Sequence, residues 1–178
     1  MTTNLQSTVE THLGWTWRDG VADAVVVDSN RLACRQDLRD GAAAGEADAV
    51  WHAHGRVLLA GESLLLELDA LEQSLFGAAV LIAMGRVKAI LIVNRNTGGT
   101  AHLAVGGAAA DEWSEPFGMF GDTVKVMPAS PLLLANVVDG WPVAPSAATL
   151  QISAIGGAVT FDIAILGTLQ QTPTSSGT

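Results

Sequence analysis

The segment Val159-Thr-Phe161-Asp-Ile163-Ala-Ile165 places large apolar side chains at every odd position, with Thr160 and Asp162 among the even ones. A period of two sends successive side chains to opposite faces of an extended strand, so this segment reads as a strand with one core face and one outward face. The same alternation sets Leu150, Ile152 and Ala154 against Thr149, Gln151 and Ser153, and Leu64, Leu66 and Leu68 against Leu65, Glu67 and Asp69. Residues 86–94 open with alternation and become continuously apolar, as a strand covered on both faces does. Shorter candidates lie at 50–59, 101–105, 123–127 and 132–137.

Turn signals separate these runs: Asn96-Thr-Gly-Gly99, Gly106-Gly107, Asp139-Gly140 and Gly156-Gly157. Glycine tolerates the positive φ that tight hairpins require. Short strands at this spacing predict an all-β fold, a β-sandwich or jelly-roll-like domain with an N-terminal extension. One or two helical turns are expected over residues 68–75, where Leu68, Leu71 and Leu75 fall at helix spacing.

A Gly/Ala-rich stretch at 40–48 divides an arginine-containing N-terminal part from the more apolar remainder. The expected organisation is an arm over 1–39, a sandwich domain over 40–168 and a flexible polar tail over 169–178. Within the arm, residues 1–12 are polar and show no periodicity. No internal repeat is visible.

Of the 178 residues, 49% are apolar, or about 60% once the 19 glycines are added, and only 15% are charged. That composition excludes disorder over the whole chain. It also leaves too few charges to cover a surface of this size, so much of the exterior must be small or apolar. Contiguous apolar surface usually marks an interface, which predicts a component of an assembly.

The net charge of −9 argues against nucleic acid, whose phosphates need clustered Lys and Arg. The most apolar region, 75–93, is interrupted by Arg86 and Lys88 and falls short of a spanning helix, so no membrane partner is expected. The first residues have neither a basic start nor an apolar run, and no secretion signal is expected. The single cysteine, Cys34, cannot form an internal disulfide, which suits a reducing compartment.

Little catalytic chemistry is legible. His52 and His54 share one side of a strand and could supply two zinc ligands, but nothing fixes His102, His12 or a carboxylate as the rest. Two surface histidines are the simpler reading. Asp111, Glu112 and Glu115 lack the alternating ligand pattern of a calcium loop and read as a solvated acidic loop. Ser63 lacks the second glycine of a nucleophile elbow, and neither glycine-rich phosphate pattern occurs. Cys34 lies near Arg31 and Arg35 but has no histidine nearby in sequence. The chain is therefore expected to be no enzyme, with no cofactor and no bound metal.

The aromatics remain. Trp15 and Trp17 point to one side of a strand, and Trp113 and Trp141 sit in turn-like contexts. Such residues anchor protein interfaces or stack on sugar rings. The four are taken as interface candidates, with a carbohydrate-binding module, acting through Trp15 and Trp17, as the alternative.

An ordered set of features runs from about residue 40 to 168: Asp40-Gly, Ala47-Asp48, Trp51-His52, Gly55-Arg56-Val-Leu-Leu-Ala-Gly61, the 64–71 segment and Phe76-Gly77. It continues through Arg86-Val-Lys-Ala-Ile90, Leu103-Ala-Val-Gly-Gly-Ala108, Pro116-Phe117, Val124-Lys-Val126, Leu132-Leu-Leu134, Gly140-Trp141 and Ala158 to Gly167. Each motif is weak alone; together, over about 130 of 178 residues, the chain resembles small tailed-bacteriophage virion proteins. Residues 1–39 fall outside the likeness. The resemblance implies a β-rich head-decoration (cement) or other minor virion component, located in the virion and assembled in the host cytoplasm. It supplies no catalytic residues. A homotrimer binding the major capsid protein or other virion proteins is the expectation, with a tail, baseplate or fibre-base component as the alternative.

Overall fold

The computed structural model describes residues 4–21, 24–75 and 77–171. Among them are thirteen strands and no helix. In chain order the strands are β1 (Ser7–Val21), β2 (Ala24–Leu38), β3 (Ala49–Leu58), β4 (Ser63–Glu67), β5 (Leu71–Leu75), β6 (Ala78–Ile82) and β7 (Met84–Asn94). They continue as β8 (His102–Gly106), β9 (Thr123–Val126), β10 (Pro131–Ala135), β11 (Trp141–Pro142), β12 (Thr149–Ile155) and β13 (Val159–Leu169).

Two antiparallel sheets carry the core. One has the order β10-β7-β13-β3, with β11 also paired to β7; the other has the order β4-β12-β8-β9. Period-two alternation dictates their packing. Val159, Phe161, Ile163 and Ile165 of β13 and Ile90 and Ile92 of β7 meet Leu150, Ile152 and Ala154 of β12 and Leu103 and Val105 of β8 in one buried cluster. Burying a large apolar side chain contributes about 1.5–3 kcal/mol, so this double layer is the main source of stability. The result is an all-β sandwich, as the alternation predicts.

Three register shifts run along β13 in the first sheet, the last between Thr168 and Leu169. Between Phe161 and Ile163 the β13–β3 register shifts, and Gly55 sits opposite with φ +60. The Asp162 carboxylate accepts the Gly55 N–H at 2.7 Å and fixes that bulge. Between Leu166 and Gly167 the β13–β7 register shifts again, which gives β7 an extra residue, Lys88. Close approach forces the glycine there: a Cβ on Gly167 would land on the Arg86 carbonyl oxygen, with Met84 Sδ at 3.0 Å.

Three local expectations need correction. Residues 68–75 form no helix: Leu68 and Asp69 lie in the link after β4, and Leu71–Leu75 is a strand paired with β6. Leu68 and Leu71 are buried in the sandwich core from a turn and a strand, so helix-like spacing arose from two separate elements. The seemingly aperiodic N-terminus is already strand from Ser7. Leu169, assigned to the tail, pairs with Met84 as the last residue of β13, while 172–178 lie outside the described residues.

Candidate interaction surface

The feature that stands apart is the β1–β2 hairpin. Its two strands of 15 residues pair in unbroken register from Ser7↔Leu38 to Val21↔Ala24 and form a sheet of their own. At about 3.3 Å per residue the ribbon is about 50 Å long. From Glu10 to Gly20 and from Val25 to Asp37 every residue is exposed.

Register and pleat divide the ribbon into two unlike faces. One carries Val9, Thr11, Leu13, Trp15, Trp17 and Asp19 with their cross-strand partners Gln36, Cys34, Leu32, Asn30, Asp28 and Val26. Leu13, Trp15, Trp17, Val26 and Leu32 are between 42% and 73% exposed there. Asp28 is tied into this stripe by accepting the Trp15 indole N–H at 3.2 Å. The opposite face carries Thr8, Glu10, His12, Thr16 and Arg18 with Asp37, Arg35, Ala33, Ser29 and Val27, and Gly14 opposite Arg31.

The charged face is internally satisfied near its base. Arg35 donates to Asp37 from Nε at 3.2 Å and from Nη2 at 3.0 Å, and lies 3.9 Å from Glu10. Thr8 donates its hydroxyl to Asp37 at 2.7 Å. That hydrogen bond first, and Arg35 second, hold the Asp37 carboxyl below the usual carboxylate range, while Asp37 holds the Arg35 guanidinium above its ordinary value.

The hairpin is seated on the sandwich only at its base. Leu38, Ala47, Ala89 and Leu166 form a second buried cluster, with Leu5, Val9, Val50, Leu133 and Val137 packed against it. Ala89 and Leu166 are outward-facing members of β7 and β13, so the base of the ribbon covers part of the outer face of the first sheet. Hydrogen bonds lock the joint: backbone bonds from Ala47 N–H to the Arg39 carbonyl at 2.9 Å and from Asp48 N–H to the Gly167 carbonyl at 3.1 Å, and one from Leu5 N–H to the Asp40 side-chain Oδ1 at 3.0 Å.

The tryptophan candidates separate. Trp15 and Trp17 share the open face of the arm as expected. Trp113 is completely buried, donates its indole N–H to the Pro142 carbonyl at 2.8 Å, and meets Phe117 and Trp141 edge-on at 6.4 Å and 6.2 Å. It is a core residue with no surface to offer, which corrects its assignment to an interface. Trp141 is half-buried against the same core.

The polar candidates also fall apart. His52 and His54 stand side by side, with ring centroids 5.2 Å apart, but His102 lies in the other sheet and His12 on the arm. No group of three or more His, Cys, Asp or Glu placed to hold a metal occurs among the described residues. His54 instead neighbours Asp162 at 3.8 Å. The Asp162 carboxyl is held low by the Gly55 N–H foremost and then by Arg95, which donates to it from Nε at 2.6 Å.

The acidic loop is not uniformly solvated. Glu112 is buried and braces two turns by accepting the Gly107 N–H at 3.0 Å and the Gly121 N–H at 2.7 Å, whereas Asp111 and Glu115 are exposed. Ser63 shares a hydrogen bond with Ser153 at 2.8 Å. Cys34 is a free, exposed thiol on the arm's apolar face.

Two features escaped the sequence reading. The first is the pairing of Leu13 with Leu32, which makes a continuous apolar stripe out of residues that look scattered in the chain. A hairpin assumption over 7–38 would have revealed it, because cross-strand partners sum to a constant residue number. The second is Lys88, only 1% exposed, whose ammonium donates to the Val138 carbonyl beside a hollow of about 250 Å³ lined also by Arg86, Asp139 and Ala42–Ala44. Burial pushes its pKa below the ordinary lysine value, and Arg86 adds to the shift. Compared with protein-family models, with curated proteins and with solved structures, the chain matches none.

Proposed function

We propose that this chain is a virion structural protein: a capsid decoration (cement) protein that binds and stabilises an assembled phage head. The observation that carries the reading is the amphipathic arm, an exposed apolar stripe borne by a stable sandwich. An isolated two-stranded ribbon is marginal in water, so a ribbon this long and open fits a molecule that completes its burial on a partner. The task is mass action: a protein that binds the assembled shell but not its parts stabilises the assembled state, and many symmetric copies multiply a modest contact. The partners in this reading are the major capsid protein and further copies of the chain.

The test is occupancy. The sandwich core contains no residue of 1–39, so a chain lacking them keeps its main cluster. Full-length protein should populate particles in hundreds of copies by quantitative mass spectrometry, and the shortened chain should be nearly absent. Full occupancy by the shortened chain overturns the role of the arm. A few to a few tens of copies per particle moves the protein to the tail, baseplate or fibre base. Trp17, 73% exposed beside Trp15, favours one further reading, host-surface glycan binding. Glycan-array signal lost in Trp15→Ala or Trp17→Ala would support that reading instead.

A further inference from the structure

We infer that the apolar face of the β1–β2 hairpin is a self-association surface, and that its occupant is the same face of a second copy of this chain. This deepens the assembly reading above, naming the neighbour the arm engages. Three observations select a second copy.

The first is continuity. The stripe begins as an interface the chain already makes, since Val9 and Leu38 at its base pack on Ala89 and Leu166. Beyond the edge of the sandwich the same face continues through Leu13, Leu32, Trp15, Trp17 and Val26 with nothing against it.

The second is area. With roughly 200 Å² per large side chain, those five residues leave on the order of 600 Å² open per chain. Two stripes facing each other remove about 1,200 Å² from water, which reaches the range of specific interfaces. A two-fold contact of a surface with itself needs only the one patch each chain carries.

The third is charge. Residues 1–39 hold four arginines and five acids, a net −1, whereas residues 40–178 hold five cations and thirteen acids, a net −8. Two sandwiches brought face to face would repel. The arms are where two copies can approach with the least repulsion. Of their strand charges, Asp19 and Asp28 lie on the stripe's own face, Asp28 held by the Trp15 indole. Glu10, Arg18, Arg31, Arg35 and Asp37 lie on the opposite face, with Arg35 paired to Asp37 and Glu10.

The test is the mass of the full-length protein by sedimentation equilibrium across concentrations, with no particle present. The wild type should self-associate. Leu13→Glu with Leu32→Glu places charges on the stripe at two exposed positions, so the fold is kept, as an unchanged thermal midpoint of the monomer would confirm. That variant should weaken association about 100-fold or more, the effect of losing central anchors of an interface. Arg31→Ala, on the opposite face, should leave the association constant within about twofold.

A wild type monomeric at every concentration overturns the inference. So does association that survives the double substitution, or that fails only on Leu91→Glu on the sandwich's own outer face. The outcome is separable from particle binding: a self-associating protein absent from particles sinks the decoration role alone, and a monomer that decorates particles sinks this inference alone.

Discussion

At the scale of single residues, the molecule keeps one cation where burial disfavours it. Lys88 occupies the extra position in β7, and its ammonium meets one carbonyl, that of Val138. Folding lowers its pKa, so between that lowered value and the ordinary 10.5 the unfolded chain binds more protons, and stability rises with pH across the window. Lys88→Met keeps the chain volume and removes the buried charge, and the exposed Val138 can give its carbonyl to water. The variant should be more stable at pH 7 by about 1 kcal/mol, some 2–4 °C at this chain length. Urea unfolding between pH 7 and 10.5 checks the sign: the advantage should shrink as pH rises. An advantage that grows with pH would contradict the burial argument.

At the scale of elements, β13 organises the sandwich, since it pairs with both β7 and β3 and supplies four core residues. Its weakest tolerance is at Gly167, where the obstacle to a side chain is backbone, which cannot rotate away. Gly167→Ala should cost about 2–3 kcal/mol, a fall of roughly 5–10 °C in thermal midpoint by calorimetry. A neutral result would mean that the Arg86 carbonyl shifts freely.

The same strand explains what was legible beforehand. Val159 to Ile165 and Leu150 to Ala154 alternate cleanly because each has one face on the core and one outside. The 68–75 segment misled because a turn and a strand both sent leucines inward, and a one-dimensional period cannot tell one helix from two short elements. The arm was hidden for the opposite reason. A strand with no core to face has no obligation to alternate strongly, and its stripe exists only after two distant strands are paired. Trp113 belongs to this class of error: a turn-like context says nothing of whether the ring turns inward, and here Pro142 offers its carbonyl from the interior.

At the scale of the whole molecule, charge is the dominant long-range term. Two copies at −9 each repel at a distance, and salt screens that repulsion while leaving apolar contact intact. Association of the full-length protein should therefore tighten when salt rises from about 0.05 M to about 0.5 M, read as a several-fold lower dissociation constant. Weakening instead would show that ion pairs, rather than the stripe, hold the copies together.

The arm also alters how the molecule moves. Residues 1–39 are little more than a fifth of the chain, yet the open ribbon reaches about 35 Å past its last contact with the sandwich, by the strand rise. A thin ribbon on a rounded body adds drag out of proportion to its mass. The protein should tumble and diffuse like a larger particle than its 18.4 kDa implies. Its capture radius for a neighbour is likewise set by the tip of the ribbon and not by the body, so a first encounter can occur while the two acidic sandwiches are still far apart.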